Sequence, residues 1–307
     1  MNARITTSLD ELIELKADAR GFSFLPRQPL HSLLAGRHSS RLRGRGLDFE
    51  ELRHYAQGDD VRNIDWKATA RLRSPYVRVY NEERERPVLL VVDQRSPMFF
   101  GSRRVMKSVA AAEVAALGAW RTLQVGDRVG AIVFNENEIV DQRPQRSHTA
   151  VLRILHEVVR FNRSLTTSHR RSGAVGLNEA LAAAARRANH DHLVVVISDL
   201  DGADDETQRL TTQLAAHNDV LVVAVYDPLG AALQNHPGMV AVTPQGPLQL
   251  STDSAFPGAF QRVFSERLDR WRDIFHALRV PVLPISTTES PSRQLRDLFG
   301  HHISTAR

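Results

Sequence analysis

Cysteine is absent from this chain of 307 residues, which excludes disulfides, thiolate metal sites and thiol nucleophiles together. Lysine is scarce: Lys16, Lys67 and Lys107 are the only three, and arginine carries the rest of the positive charge. Aromatic residues make up only 6%. No apolar run approaches the roughly 18 residues of a membrane span. The opening residues, MNARITTSLDELIEL, do not read as a signal peptide. These absences lead to the expectation of a cytoplasmic protein. The net charge of +5 suits solubility or an acidic partner, and is by itself weak evidence for nucleic acid.

Catalytic patterns are missing as well. Gly101 to Ser108 follows a strand and opens a helix, as a phosphate-binding loop would. That loop needs a second glycine directly before its lysine, and Met106 stands before Lys107. His156-Glu157 is followed by Arg160 where a metalloprotease helix carries its second histidine. His190-Asp191-His192 reads as a polar turn, and His301 and His302 lie in a polar tail. No serine sits in a nucleophile elbow, and there is no internal repeat.

What is present centres on Arg86 to Lys107. Val88 to Val92 is an unbroken aliphatic run, the pattern of a strand buried on both faces, as in a parallel sheet covered by helices. It ends at Asp93, on the strand edge where open α/β sheets bind ligands. A loop over Gln94 to Ser102 leads into a helix whose Val109, Ala112, Ala116, Ala119 and Leu123 step by three and four. Further buried strands are expected at Val129 to Phe134, Leu193 to Ile197 and Val220 to Val225. Glu138 to Asp141 reads as an edge strand, and so does Val280 to Ile285 because of Pro281 and Pro284. Helices are expected at Thr149 to Phe161, Leu177 to Ala188, Thr207 to His217, Phe260 to Leu278 and Ser292 to Phe299, and a hairpin over Pro237 to Leu250. This alternation predicts an α/β fold: a doubly wound, mostly parallel sheet.

Upstream, Thr7 to Ala19 reads as a short amphipathic helix capped by Ser8 or Asp10. Arg20 to Arg45 holds six arginines and no acid. It reads either as a surface segment laid along an acidic part of the same protein or as an arm that docks on a partner or nucleic acid. Leu47 to Arg86 places Asp59, Asp60 and Asp65 among Arg53, Arg62, Lys67 and Arg71, with Tyr55 and Trp66 close by. Opposite charges at this density predict a salt-bridge network that fastens the N-terminal segment. A strand is expected at Tyr76 to Tyr80. The organisation expected is an N-terminal extension over residues 1–86 and an α/β domain over 87–307.

The segment Arg53-x-Tyr55-x-x-Gly58-Asp59-Asp60-x-Arg62-x-Ile64-Asp65-Trp66-x-x-x-Ala70-Arg71 resembles the signature of the domain of unknown function 58 family. The sequence after Pro87 resembles the von Willebrand factor A fold of that family. Members often carry N-terminal membrane spans and an extracytoplasmic β domain; this chain resembles the short soluble branch. The resemblance implies an adaptor or chaperone-like partner of a MoxR-type AAA+ ATPase and no known reaction. The fold usually carries a metal site built from D-x-S-x-S, a threonine in a later loop and an aspartate after the fourth strand. Here Asp93 and Asp199 match the carboxylates. Arg95 and Pro97 replace the two serines, and the threonine loop ends in Gly173-Ala174-Val175-Gly176.

The expectation is therefore a non-enzymatic scaffold without a cofactor, whose degenerate crevice comprises Asp93, Arg95, Ser96, Asp199 and Asp201. The guanidinium of Arg95 is expected between Asp93 and Asp199. Met98, Phe99 and Phe100 are the candidate interface, with the inward seating of both phenylalanines as the alternative. Two other functions stay open. One is a hydrolase or phosphotransferase using magnesium or manganese on Asp93 and Asp199, with Asp59 or Asp60 as further carboxylates. The other is a nucleic-acid binder using the arginine-rich arm.

Overall fold

The structure, a computed structural model, describes residues 3–21, 47–57, 59–82, 86–165, 174–230, 240–243, 246–249 and 280–300, and residues 258, 262, 266, 271, 275 and 278 singly. The arginine-rich stretch beyond Gly21, Gly58, the loop of residues 166–173, and His301 and His302 lie outside the described residues. So do Phe260, Phe264 and Leu268.

Six strands make one sheet: β3 (Val88–Asp93), β4 (Val129–Phe134), β5 (Ile139–Gln145), β6 (Leu193–Ser198), β7 (Asp219–Tyr226) and β10 (Val282–Ser286). Their order is β10-β7-β6-β3-β4-β5, parallel throughout except for the antiparallel β5 at one edge. This is the doubly wound, mostly parallel α/β sheet expected. The proline-bearing β10 occupies the other edge, where a missing N–H costs no ladder bond. Strand β3 sits between β4 and β6, so the chain winds outward in both directions from it. That arrangement is a topological switch point, and its crevice opens at the carboxyl ends of β3 and β6.

The unbroken aliphatic runs are buried because both faces are covered. Val88, Leu90 and Val92 face α1 (Leu9–Glu14), α3 (Lys107–Gln124) and α4 (His148–Ser164). Leu89 and Val91 face α5 (Leu177–Arg187) and α6 (Asp205–Ala215), together with Trp271 and Phe275. Helix α3 is buried along most of its length, and its alanines allow a close approach to the sheet. Its one internal acid, Glu113, is met by Arg4 and Arg104. A last helix, α7 (Pro291–Gly300), places Leu295 in the first of these cores.

Helix α1 begins as its sequence implies. Ser8 accepts from the Glu11 N–H while Glu11 accepts from the Ser8 N–H, a reciprocal capping box. Leu12 is fully buried, and the Trp120 indole donates to its carbonyl at 3.0 Å. The first helix therefore belongs with the sheet. By internal contacts, Met1–Gly36 and Arg86–Arg307 form one unit and Arg37–Glu85 a second.

The second unit is a hairpin with a short helix. Strand β1 (Leu47–His54) runs antiparallel to β2 (Tyr76–Glu82), with an irregularity between Phe49 and Glu51. Asp65 caps α2 (Trp66–Leu72) by accepting from the Ala68 N–H at 2.9 Å. Among the described residues of this unit, Ala68 and Val77 are the buried apolar ones. The strand at Tyr76 was expected; its partner β1 was not, because Asp48, Glu50, Glu51 and Arg53 break the apolar alternation. A second small hairpin joins β8 (Val240–Thr243) to β9 (Gly246–Gln249), as the turn residues between them imply.

Candidate functional site

Carboxylates lie at or just past the ends of four strands along the same sheet edge; three hold the loop between β3 and α3, and the fourth holds the first residue of α3. Asp93, at the end of β3, is fully buried. It accepts from Arg95 Nε at 3.0 Å, from Arg95 Nη2 at 2.6 Å and from the Arg95 backbone N–H at 3.0 Å. Ser198 Oγ, at the end of β6, donates to the same carboxylate at 2.6 Å. Glu136, just past β4, accepts from the Ser96 N–H. Asp199, just past β6, pairs with Lys107 Nζ at the start of α3. Asp227, just past β7, accepts from Ser102 N at 2.8 Å, Ser102 Oγ at 2.6 Å, Leu229 N at 2.9 Å and Thr287 Oγ1 at 2.5 Å.

The electrostatics follow from this geometry. Burial works against the charge on Arg95, but Asp93, with Asp199 and Asp201 behind it, more than offsets that and raises its pKa further. Burial also disfavours ionised Asp199, yet the Lys107 ammonium and the Asp201 N–H keep its pKa below the ordinary aspartate range. Asp227 is likewise held low, with its burial outweighed by hydrogen bonds from Ser102 and Thr287. The crevice is thus built from fixed ions of both signs. Arg95 also donates to the Asp201 carbonyl at 3.0 Å and lies over the Phe134 ring.

The turn after β6 is conformationally demanding. Leu200 has φ 59°, a left-handed conformation that costs an apolar residue about 1–2 kcal/mol. Its burial and the bond from its N–H to Ser198 Oγ at 2.9 Å offset that cost. Gly101 has a different reason to be glycine: a Cβ there would overlap the Val105 carbonyl. The glycine makes room for the loop's own backbone.

The residues singled out from the sequence fall into three sets. Asp93, Arg95, Ser96, Asp199 and Asp201 do converge at the crevice. Among the described residues, however, the only carboxylate that Arg95 bonds is Asp93, and Asp199 is held by Lys107, so the guanidinium does not bridge the two aspartates. Of the candidate interface, Met98 is fully buried and must be withdrawn from it, and Phe99 is half-buried. Phe100 is 43% exposed and lies beside Lys107.

Among the described residues the signature acids are met one by one. Arg53 holds Asp59, and Asp65 is paired with Arg78, which the sequence reading did not include. Asp60 caps a short 3-10 turn through the Arg62 N–H. Among the described residues, the side chains of Arg62 and Arg71 join no ion pair and so take no part in the expected network. Tyr55 is half-buried, Trp66 is exposed, and Gly58 lies outside the described residues.

Lys107, Ser198, Glu136 and Asp227 were missed as crevice residues. Asp227 was within reach, since it follows its buried strand as Asp93 and Asp199 follow theirs. Lys107 carried no such signal, because its partner lies 92 positions away.

This sheet and crevice define a doubly wound α/β protein with its candidate site at the switch point. The chain belongs to the family described as "Protein of unknown function DUF58", whose profile matches residues 51–255. It is 31% identical over 218 residues to uncharacterized protein Rv1480 of Mycobacterium tuberculosis (strain ATCC 25618 / H37Rv) and to uncharacterized protein Mb1516 of Mycobacterium bovis. The match covers 70% of this chain and 66% of each relative, just under two thirds of their length. Among solved structures it is similar to the conserved hypothetical protein BatB from Bacteroides thetaiotaomicron, with TM-score 0.44 and 14% identity over 69% of this chain and 96% of that one. It is also similar to the SpRpn10 VWA domain, with TM-score 0.41 and 10% identity over 69% and 94%. Among the described residues no helix is long and apolar enough to cross a membrane.

Proposed function

We propose that the chain is a non-enzymatic, chaperone-like scaffold that acts with a MoxR-type AAA+ ATPase in the cytoplasm, through the rim of this crevice. The observation that carries the reading is that Asp93, Glu136 and Asp227 are already committed to the β3–α3 loop and Asp199 to the first residue of α3. A hard divalent ion needs carboxylate and neutral oxygens open to it. Here both oxygens of Asp93 are covered by Arg95 and Ser198, and Asp199 holds an ammonium. Ser96 Oγ is a buried hydroxyl without a partner among the described residues, a single neutral donor. The residues present therefore do not fit magnesium or manganese. In their place the chain's own cations fix the loop, which presents Phe100 at the rim as an apolar anchor among charges.

The test is a titration of the MoxR-type ATPase of the same genome against the full chain and its Phe100→Ala, Arg95→Glu and Asp199→Arg variants, with folding checked by circular dichroism. Phe100→Ala is expected to weaken binding by about tenfold. Binding that ignores all three changes would remove the crevice rim from the interface. Calorimetry with magnesium and manganese should give no saturable heat; binding that disappears in Asp199→Ala would overturn the reading of the crevice.

A further inference from the structure

We infer that the exposed face of α2 and the turn before it is a second docking surface, one that takes an acidic segment of a protein partner through an apolar side chain seated on Trp66. The face belongs to the Arg37–Glu85 unit and is independent of the crevice and of the ATPase reading.

Three observations carry it. First, the short helix α2 buries only Ala68, while Trp66 is 69% exposed, Val61 58% and Leu72 48%. An indole left this far in water is an unspent apolar surface of large area, and tryptophan is the residue most enriched among binding hot spots. Second, Arg62, Lys67, Arg71 and Arg73 are exposed on the same short stretch, and none meets a carboxylate among the described residues. Lys67 and Arg71 are four apart on the helix, so they stack on one face. Third, the described acids closest to them in sequence already have partners of their own. Asp59 is held by Arg53 and the Ala56 N–H, Asp60 by the Arg62 N–H, and Asp65 by Arg78 and the Ala68 N–H. The stretch thus combines an exposed apolar anchor with cations that meet no carboxylate among the described residues, and its electrostatic complement is a carboxylate-bearing chain.

The same charges would attract nucleic acid, but the apolar part argues for protein. Stacking platforms for single strands present successive aromatic faces. Here the other exposed large apolar side chains of the stretch are the aliphatic Val61 and Leu72. The nearby Tyr76 ring is taken up by His54, at a centroid distance of 4.3 Å and with its hydroxyl 3.0 Å from Nε2.

The experiment uses the full chain and a labelled peptide of alternating glutamate and leucine. The comparison probes are the lysine–leucine peptide and a single-stranded oligothymidylate. Trp120 and Trp271 are buried, so a blue shift of the emission on binding reports Trp66. The expected result is saturable binding of the acidic peptide with that shift, weakened by salt. Trp66→Ala, and separately Lys67→Glu combined with Arg71→Glu, should each weaken it about tenfold or more. Arg103→Glu, an exposed cation of the other unit, should leave it unchanged. Circular dichroism of each variant should match wild type. No binding of the acidic peptide, equal binding by Trp66→Ala, or tighter binding of oligothymidylate would each overturn the inference. So would self-association of the wild type that is lost in Trp66→Ala, which would assign the face to a second copy.

Discussion

Arg95→Ser is the most informative single change, because it removes the guanidinium from the Asp93 carboxylate and leaves a hydroxyl in its place. Asp93 is fully buried and accepts four hydrogen bonds, two of them from the guanidinium. Each charge-assisted bond contributes about 1.5–3 kcal/mol. Breaking a buried pair by removing one partner costs about 3–5 kcal/mol. The new hydroxyl recovers about 1 kcal/mol through a bond to Asp93. The net loss is about 3 kcal/mol, which for a unit of this size lowers the thermal midpoint by roughly 6–12 °C. Calorimetry or circular dichroism melts of both proteins measure it directly. The paired change Asp93→Asn with Arg95→Met removes both charges and should recover more than half of the loss, because no unpaired ion stays buried. Manganese should raise the midpoint of Arg95→Ser and leave wild type unmoved, since ligand binding to the folded state alone stabilises it. If Arg95→Ser melts with wild type, the pair contributes nothing. If manganese stabilises both equally, Arg95 does not stand in place of a cation.

Asp227→Asn keeps the shape of the side chain but one of its two acceptor oxygens becomes a donor; it should cost about 1–3 kcal/mol, read by urea unfolding. Asp199 and Asp227 both have lowered pKa values, so their contribution is fully present above the unfolded aspartate value and is lost as pH falls through the folded ones. Wild-type stability should therefore drop below about pH 4, and Asp227→Asn should flatten that drop. Leu12→Ala empties a fully buried site under Trp120 and should cost about 2–5 kcal/mol, with faster proteolysis of the N-terminal helix; unchanged stability would mean that α1 is not part of the sheet core.

The sheet was legible in the sequence because burial on both faces imposes a local signature. Val88 to Val92, Val129 to Phe134, Leu193 to Ile197 and Val220 to Val225 are apolar without alternation, and each is a fully or largely buried strand. The edge position of β10 followed from two prolines, and the start of α1 from Ser8 and Glu11, since each of these acts over only a few residues. Asp93 and Asp199 were marked as a pair by their identical place at strand ends. Only the tertiary structure decided what meets those carboxylates. Lys107 reaches Asp199 across 92 positions, and Ser102 reaches Asp227 across 125. Arg95 chose Asp93 over Asp199 because two residues of separation bring its backbone N–H and guanidinium onto one carboxylate at once. The inward turn of Met98 and the outward turn of Trp66 were equally beyond the sequence. A side chain's direction in a loop or a one-layer unit depends on which neighbours arrive to cover it, and those neighbours come from distant parts of the chain.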